Sequence, residues 1–283
     1  MIRTRCLLGE MRTAPMAASI QIAVTRDANN HITGFSGGAT VYPAPNSTIG
    51  QYNDGVVVFG PENLLFVTRF PNNQLEQSKP GSTAPDKVTD LAPLGIHSSV
   101  GSIGFVPSGF PGAGSMKIAS FNTGFWYHCE FVPDGNGTFE IISAFQRATL
   151  TGGPEGIAFV PPGSRVFPVN SVLIVDWQHG KVVTAPLDSN SDPIVANTQD
   201  VIQGLGASEG GVIDPLTGDF LLSSAGVGGK IFRVSGFEVP PTPSPTPTPT
   251  PGPCPFRVLI AYSDAHPPIL LYNEIGRYPG GSV

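Results

Sequence analysis

Asp54-Gly55, Glu155-Gly156 and Glu209-Gly210 each set a carboxylate directly before a glycine at the head of a strand-like segment. Glu155 and Glu209 are 54 residues apart, and each opens a segment of similar wording. Carboxylate oxygens brought together by a repeat suit a hard cation such as Ca²⁺. A cation so held polarises a substrate oxygen or activates water. Asp54, Glu155 and Glu209 are therefore the candidate metal ligands. The same residues also read as strand-end caps whose glycines permit a tight chain entry, and both readings stand at the level of sequence.

Other chemical spacings carry less. Asp188-Ser189-Asn190-Ser191-Asp192 has the oxygens of a calcium loop, but Pro193 replaces its glycine and Gln199 its closing glutamate, so a hairpin turn is expected. Asp134-Gly135-Asn136-Gly137 is also a turn sequence. Gly34-Phe35-Ser36-Gly37-Gly38 and Gly206-Ala207-Ser208-Glu209-Gly210 match a nucleophile pattern that works only at a strand-to-helix elbow. Both lie among β segments, and no catalytic residue is assigned. His31, His97, His128, His179 and His266 show no paired spacing and read as loop or surface residues. Cys6, Cys129 and Cys254 form neither a CxxC nor a disulfide framework. Trp126-Tyr127 and Trp177 fall at similar places in successive units; they are expected to pack between units or, if exposed, to offer a platform to sugar or peptide.

The elements that position these residues follow from an echo. Ile103-Gly104-Phe105-Val106-Pro107, Ile157-Ala158-Phe159-Val160-Pro161 and Gly211-Val212-Ile213-Asp214-Pro215 recur at 54-residue intervals. A second strand follows in each unit, at 115–120, 171–176 and 219–224, and a third follows a glycine turn at 180–183 and 229–232. An earlier unit runs from Asp54 to Phe59 and Asn63 to Thr68, and residues 20–45 supply part of another. A period near fifty built of short strands is the mark of a β-propeller, in which radial stacking covers sheet faces that no unit covers alone. The expected fold class is thus all-β: a propeller of about 50-residue blades, five or six in number. The 35 Gly and 30 Pro against 13% charged residues agree with a loop-rich β body. A β-sandwich is the alternative, but sandwiches rarely keep an exact period.

Residues 1–19 read as a leader without regular structure, 20–237 as the propeller, and 238–255 as a Pro/Thr-rich linker in polyproline conformation. Phe256 to Tyr262 reads as a buried strand and Ile269 to Arg277 as a helix, the truncated start of an α/β domain spanning 256–283. A net charge of −6 and the lack of a basic run argue against nucleic acid. No apolar stretch reaches the ~20 residues of a membrane span, and no convincing signal peptide is present.

The wording of Asn63–Asn73, Lys79–Thr83, Ser99–Ser102, Phe105–Gly114 and Ile213–Phe220 resembles a group of uncharacterised secreted bacterial β-propeller proteins, some with PEP-CTERM sorting tails. More distantly the repeat is similar to NHL-repeat and gluconolactonase-like propellers. The segment after the linker resembles the start of a flavodoxin-like or amidotransferase-like domain. The first resemblance implies an extracellular or cell-surface protein, and the second a metal at one end of the channel. Two functions follow as expectations. One is a non-catalytic binding propeller for a protein, peptide or carbohydrate ligand. The other is a divalent-metal-dependent hydrolase of lactonase type using Asp54, Glu155 and Glu209, with Ca²⁺ as the cofactor; a purely structural module is a third option.

Overall fold

A computed structural model describes residues 4–11, 19–69, 71–163, 166–225, 229–236 and 257–263. The first sheet contains β1 (Thr4–Met11), β2 (Ser19–Arg26) and β3 (Ile32–Val41). The second contains β4 (Asn53–Phe59), β5 (Leu65–Arg69), β6 (Gln74–Ser78) and β7 (Lys87–Asp90). The third is β8 (Val100–Phe105), β9 (Met116–Ser120), β10 (Phe125–Pro133) and β11 (Phe139–Thr149). The fourth is β12 (Pro154–Val160), β13 (Ser171–Asp176), β14 (Lys181–Pro186) and β15 (Gln199–Ile202). The fifth has β16 (Ser208–Ile213), β17 (Phe220–Ser224) and β18 (Lys230–Val234), and β19 (Arg257–Ser263) joins the first sheet.

The second to fifth sheets are antiparallel meanders, each strand bonded to its chain neighbour. They are the blades of a β-propeller, as the repeat predicts. Strands β9, β13 and β17 are buried along their whole length because neighbouring sheets cover both faces, which is why their apolar runs do not alternate. Outer strands such as β7 and β15 meet solvent.

Both chain ends run differently from the expectation. The leader supplies β1, antiparallel to β2, and the strand expected in a separate α/β segment is β19, parallel to β1 from Arg5↔Arg257 to Met11↔Ser263. In that place β19 neighbours β4 and β16 of the adjoining sheets. The expected linker, 238–255, and the helix at 269–277 lie outside the described residues.

Apolar clusters fill the seams, and polar clamps join some of them. Between the second and third sheets, Gln77 Nε2 donates to the Phe139 carbonyl while Phe139 N–H donates back to Gln77 Oε1, both at 2.8 Å, beside Phe66, Leu75, Ile103 and Ile118. Between the third and fourth, Trp126 packs with Val172, Ile174 and Val183. Val175, Phe220 and Leu222 fill the next seam. The first sheet packs on the fifth through Ile22, Val24, Ile32 and Leu221, and Arg26 grips Asp214 at 2.6 and 3.2 Å. Among the described residues, no helix is long and apolar enough to cross a membrane.

Candidate functional site: the channel and its acidic end

The inner strands β4, β8, β12 and β16 surround a cavity of about 390 Å³. Its described lining is apolar: Val56 to Phe59, Ile103 to Phe105 with Pro107, Gly156 to Phe159, and Gly210 to Ile213 with Pro215. These are the echoed segments, so the repeat positions one wall of the cavity in each of the four blades. Gly156 allows the inner strands their close approach, since a Cβ there would stand 2.7 Å from the backbone nitrogen of Gly211.

Glu155 and Glu209 occur near the starts of β12 and β16, at the same end of the channel, and both are buried. Glu209 turns toward the fourth sheet, where its Oε1 accepts the indole N–H of Trp177 at 3.1 Å. Asp54 lies in β4 at the corresponding strand start, with its side chain outside the described residues. No group of three or more His, Cys, Asp or Glu side chains poised to hold a metal ion occurs among the described residues. The described carboxylates thus do not form a complete cation site by themselves.

The turn after β13 gathers the remaining chemistry at this end. Buried Asp176 accepts the backbone N–H of His179 through Oδ1 at 3.1 Å, and its Oδ2 lies 2.7 Å from His179 Nδ1. The imidazole is half-exposed, and the carboxylate engages it through Nδ1, so Nε2 is the ring nitrogen left for other partners. Gly152 makes room for this pair: its φ is +78°, and a Cβ would stand 2.0 Å from Asp176 Oδ1. Trp177 stands beside it, 38% exposed, with its ring edge-on to Phe121 at 5.7 Å. Ser208 Oγ donates to the Asp176 carbonyl at 3.1 Å, tying the turn to the fifth sheet.

The other sequence candidates resolve into structure. Asp188 caps a hairpin turn, its Oδ1 accepting N–H from Asn190 and Asp192, as expected. Asp134 does the same for Asn136 and Thr138, and these bonds with Thr138 Oγ1 hold its carboxyl below the usual range. Ser36 is on β3 and Ser208 starts β16, so neither occupies a strand-to-helix elbow. Trp126 and Tyr127 are buried between sheets, whereas Trp177 reaches solvent.

Two groupings escaped the sequence reading. The Asp176–His179 pair is signalled by an aspartate three residues before a histidine within a turn. A second, Lys117 with His128 and Asp192, assembles residues 11 and 75 positions apart, a separation that leaves no local signal.

No protein-family model matches the chain, nor does any functionally curated protein. Several solved structures align with the chain at low identity. A catalytically inactive virginiamycin B lyase from Staphylococcus aureus, solved with quinupristin, aligns at 10% identity and a TM-score of 0.39, over 87% of this chain and 71% of that one. The PQQ-bound aldose sugar dehydrogenase from Streptomyces coelicolor aligns at 14% identity and TM-score 0.38, covering 73% and 66%. A putative 6-phosphogluconolactonase from Bacteroides uniformis gives 14% identity and TM-score 0.41, covering 78% of this chain and 61% of that one. What those proteins bind or turn over is a property of theirs.

Proposed function

We propose that the protein is a ligand-binding propeller of five blades, in which a small apolar or amphipathic molecule occupies the central channel. The single observation that carries this reading is the apolar cavity of about 390 Å³ walled by the repeated segments. That volume lies in the range of small-molecule pockets, and burial of apolar ligand surface there supplies the driving force. The Pro/Thr-rich run at 239–255 supports display outside the cell or at its surface. Titration with N-phenyl-1-naphthylamine tests the channel. Saturable fluorescence enhancement is expected, with its loss in Val58→Trp, which adds an indole to the cavity wall; enhancement that is unsaturable, or unchanged in that variant, refutes the reading.

Hydrolysis assisted by a divalent cation is the second reading, favoured by the burial of Glu155 and Glu209 at one end of the channel. It requires ligands beyond those two, with Asp54 the first to test and Ca²⁺ the first cation to supply. Calcium binding alone does not separate the readings. Turnover of a lactone panel does: chelator-sensitive turnover lost in Glu155→Gln and Glu209→Gln supports hydrolysis, and none in the presence of Ca²⁺ rejects it.

A further inference from the structure

We infer that the turn Trp177-Gln178-His179, at the acidic end of the channel, is a subsite for a neutral saccharide. All three side chains are exposed, on one turn between β13 and β14. An exposed indole ordinarily samples several rotamers, yet this one is fixed twice, by its N–H bond to buried Glu209 and by the Phe121 ring. His179 is fixed as well, through two bonds to the fully buried Asp176. The orienting groups come from three different blades, so the turn is pre-organised by the ring and loses little freedom when a ligand arrives.

The chemistry presented is a flat apolar face flanked by an amide and an imidazole. A pyranose offers the complement, a C–H face ringed by hydroxyls that both donate and accept. The amide of Gln178 and Nε2 of His179 can meet those hydroxyls while the sugar ring covers the indole. Negative charge just beneath, on Glu209 and Asp176, disfavours phosphate or other anions. A cationic ligand is the competing chemistry, since an aromatic face near carboxylates also attracts ammonium groups. The saccharide is preferred because Glu209 already accepts from the indole and Asp176 from His179, so both acids are engaged as orienting groups.

The inference goes beyond the channel reading and fails separately from it. Calorimetric titration of the full chain with cellotriose, chitotriose and maltotriose is the test, with choline as the cationic probe. Saturable binding of at least one trisaccharide is expected, in the range of about 0.1–10 mM. Trp177→Ala should weaken it about tenfold or more. Gln178→Ala should weaken it several-fold at an unchanged melting temperature, which guards against misreading a folding defect. In both variants N-phenyl-1-naphthylamine should bind as in the parent, leaving the channel reading untouched. The inference is overturned if no trisaccharide saturates, if Trp177→Ala and Gln178→Ala both bind as the parent does, or if choline binds more tightly than every trisaccharide.

Discussion

Lys117 Nζ and Asp192 Oδ1 meet at 2.5 Å across the seam between the third and fourth sheets, with the lysine side chain fully buried. The ammonium spends its other two donors on His128 Nδ1 and the Asn190 carbonyl, both at 2.8 Å, and Asp192 Oδ1 also accepts the Trp126 indole N–H at 2.8 Å. Every lysine proton has a partner. Because Nδ1 accepts, His128 is neutral with its proton on Nε2; burial, then the nearby Lys117 charge, hold its pKa below the ordinary value. Burial also lowers that of Lys117 itself.

Breaking the pair from one side should therefore cost far more than removing it whole. Asp192→Ala leaves a buried ammonium without its anion, a loss of about 3–5 kcal/mol, equivalent to a melting-temperature drop of roughly 10 °C. The double variant Lys117→Met/Asp192→Leu should recover most of that drop. Thermal melts followed by circular dichroism decide; equal losses in the single and double variants would show that the pair carries no such asymmetry.

Glu76 gives a pH dependence of opposite sign to that of His128. It is fully buried on β6, with Oε1 accepting the Gly50 N–H at 3.0 Å and Oε2 3.8 Å from Arg69 Nε, and burial raises its pKa to about 7. Between the ordinary carboxylate pKa and 7 only the unfolded chain ionises, so this group's contribution is present at acid pH and is lost as pH rises, by about 3 kcal/mol. His128, held low, makes its own contribution fall as pH drops below about 6.5. Glu76→Gln keeps the acceptor for Gly50 and removes the titration. Its melting temperature relative to the parent should climb by several degrees from pH 5 to pH 8, and parallel curves would refute the assignment.

Gly156→Ala tests the close approach of the inner strands. The added methyl meets the backbone nitrogen of Gly211 at 2.7 Å and Val175 Cγ2 at 3.1 Å, and backbone cannot yield as a side chain does. A loss of about 1–3 kcal/mol is expected, read as a lower denaturant midpoint at constant m-value.

Cys129 should resist thiol reagents in the folded protein. It is buried on β10, in the cluster between the second and third sheets, and burial pushes its thiol pKa up to about 12. At pH 8 almost none is thiolate, so Ellman's reagent should reach it only in denaturant; rapid reaction of all three cysteines in native buffer would contradict the packing.

The sequence was most legible where structure repeats. The segments at Phe105, Phe159 and Ile213 became equivalent inner strands because one geometric task recurs, and a recurring task leaves a recurring word. The earlier unit and the first sheet from Ser19 to Val41 followed the same pattern of short strand and turn. Pairing of β1 with β19 was not legible, since two apolar runs at opposite ends carry no local mark of partnership. Nor was the role of Lys117, which sits within Met116-Lys117-Ile118 as a lone charge in an apolar strand and finds its anion in a segment read as a hairpin turn, with nothing local to mark the pairing. Trp177 was recognised as a repeat aromatic, but its exposure depends on a rim that only the assembled seams create.

The grip of Arg26 on Asp214 joins residues 188 positions apart, whereas the hairpins within each blade join near neighbours. Those local hairpins can form while the polypeptide is still being synthesised. The bond between first and fifth sheets must wait until nearly the entire propeller has left the ribosome, as must that of Arg233 to the Ile32 carbonyl, 201 positions away. Until then, the edges of the first and last blades present unpartnered apolar faces, Ile22 and Val24 on one side and Leu221 on the other. Two nascent copies side by side on one messenger would offer each other those same faces, so the time between synthesis of Arg26 and of Asp214 is the interval in which one chain can close its ring on another.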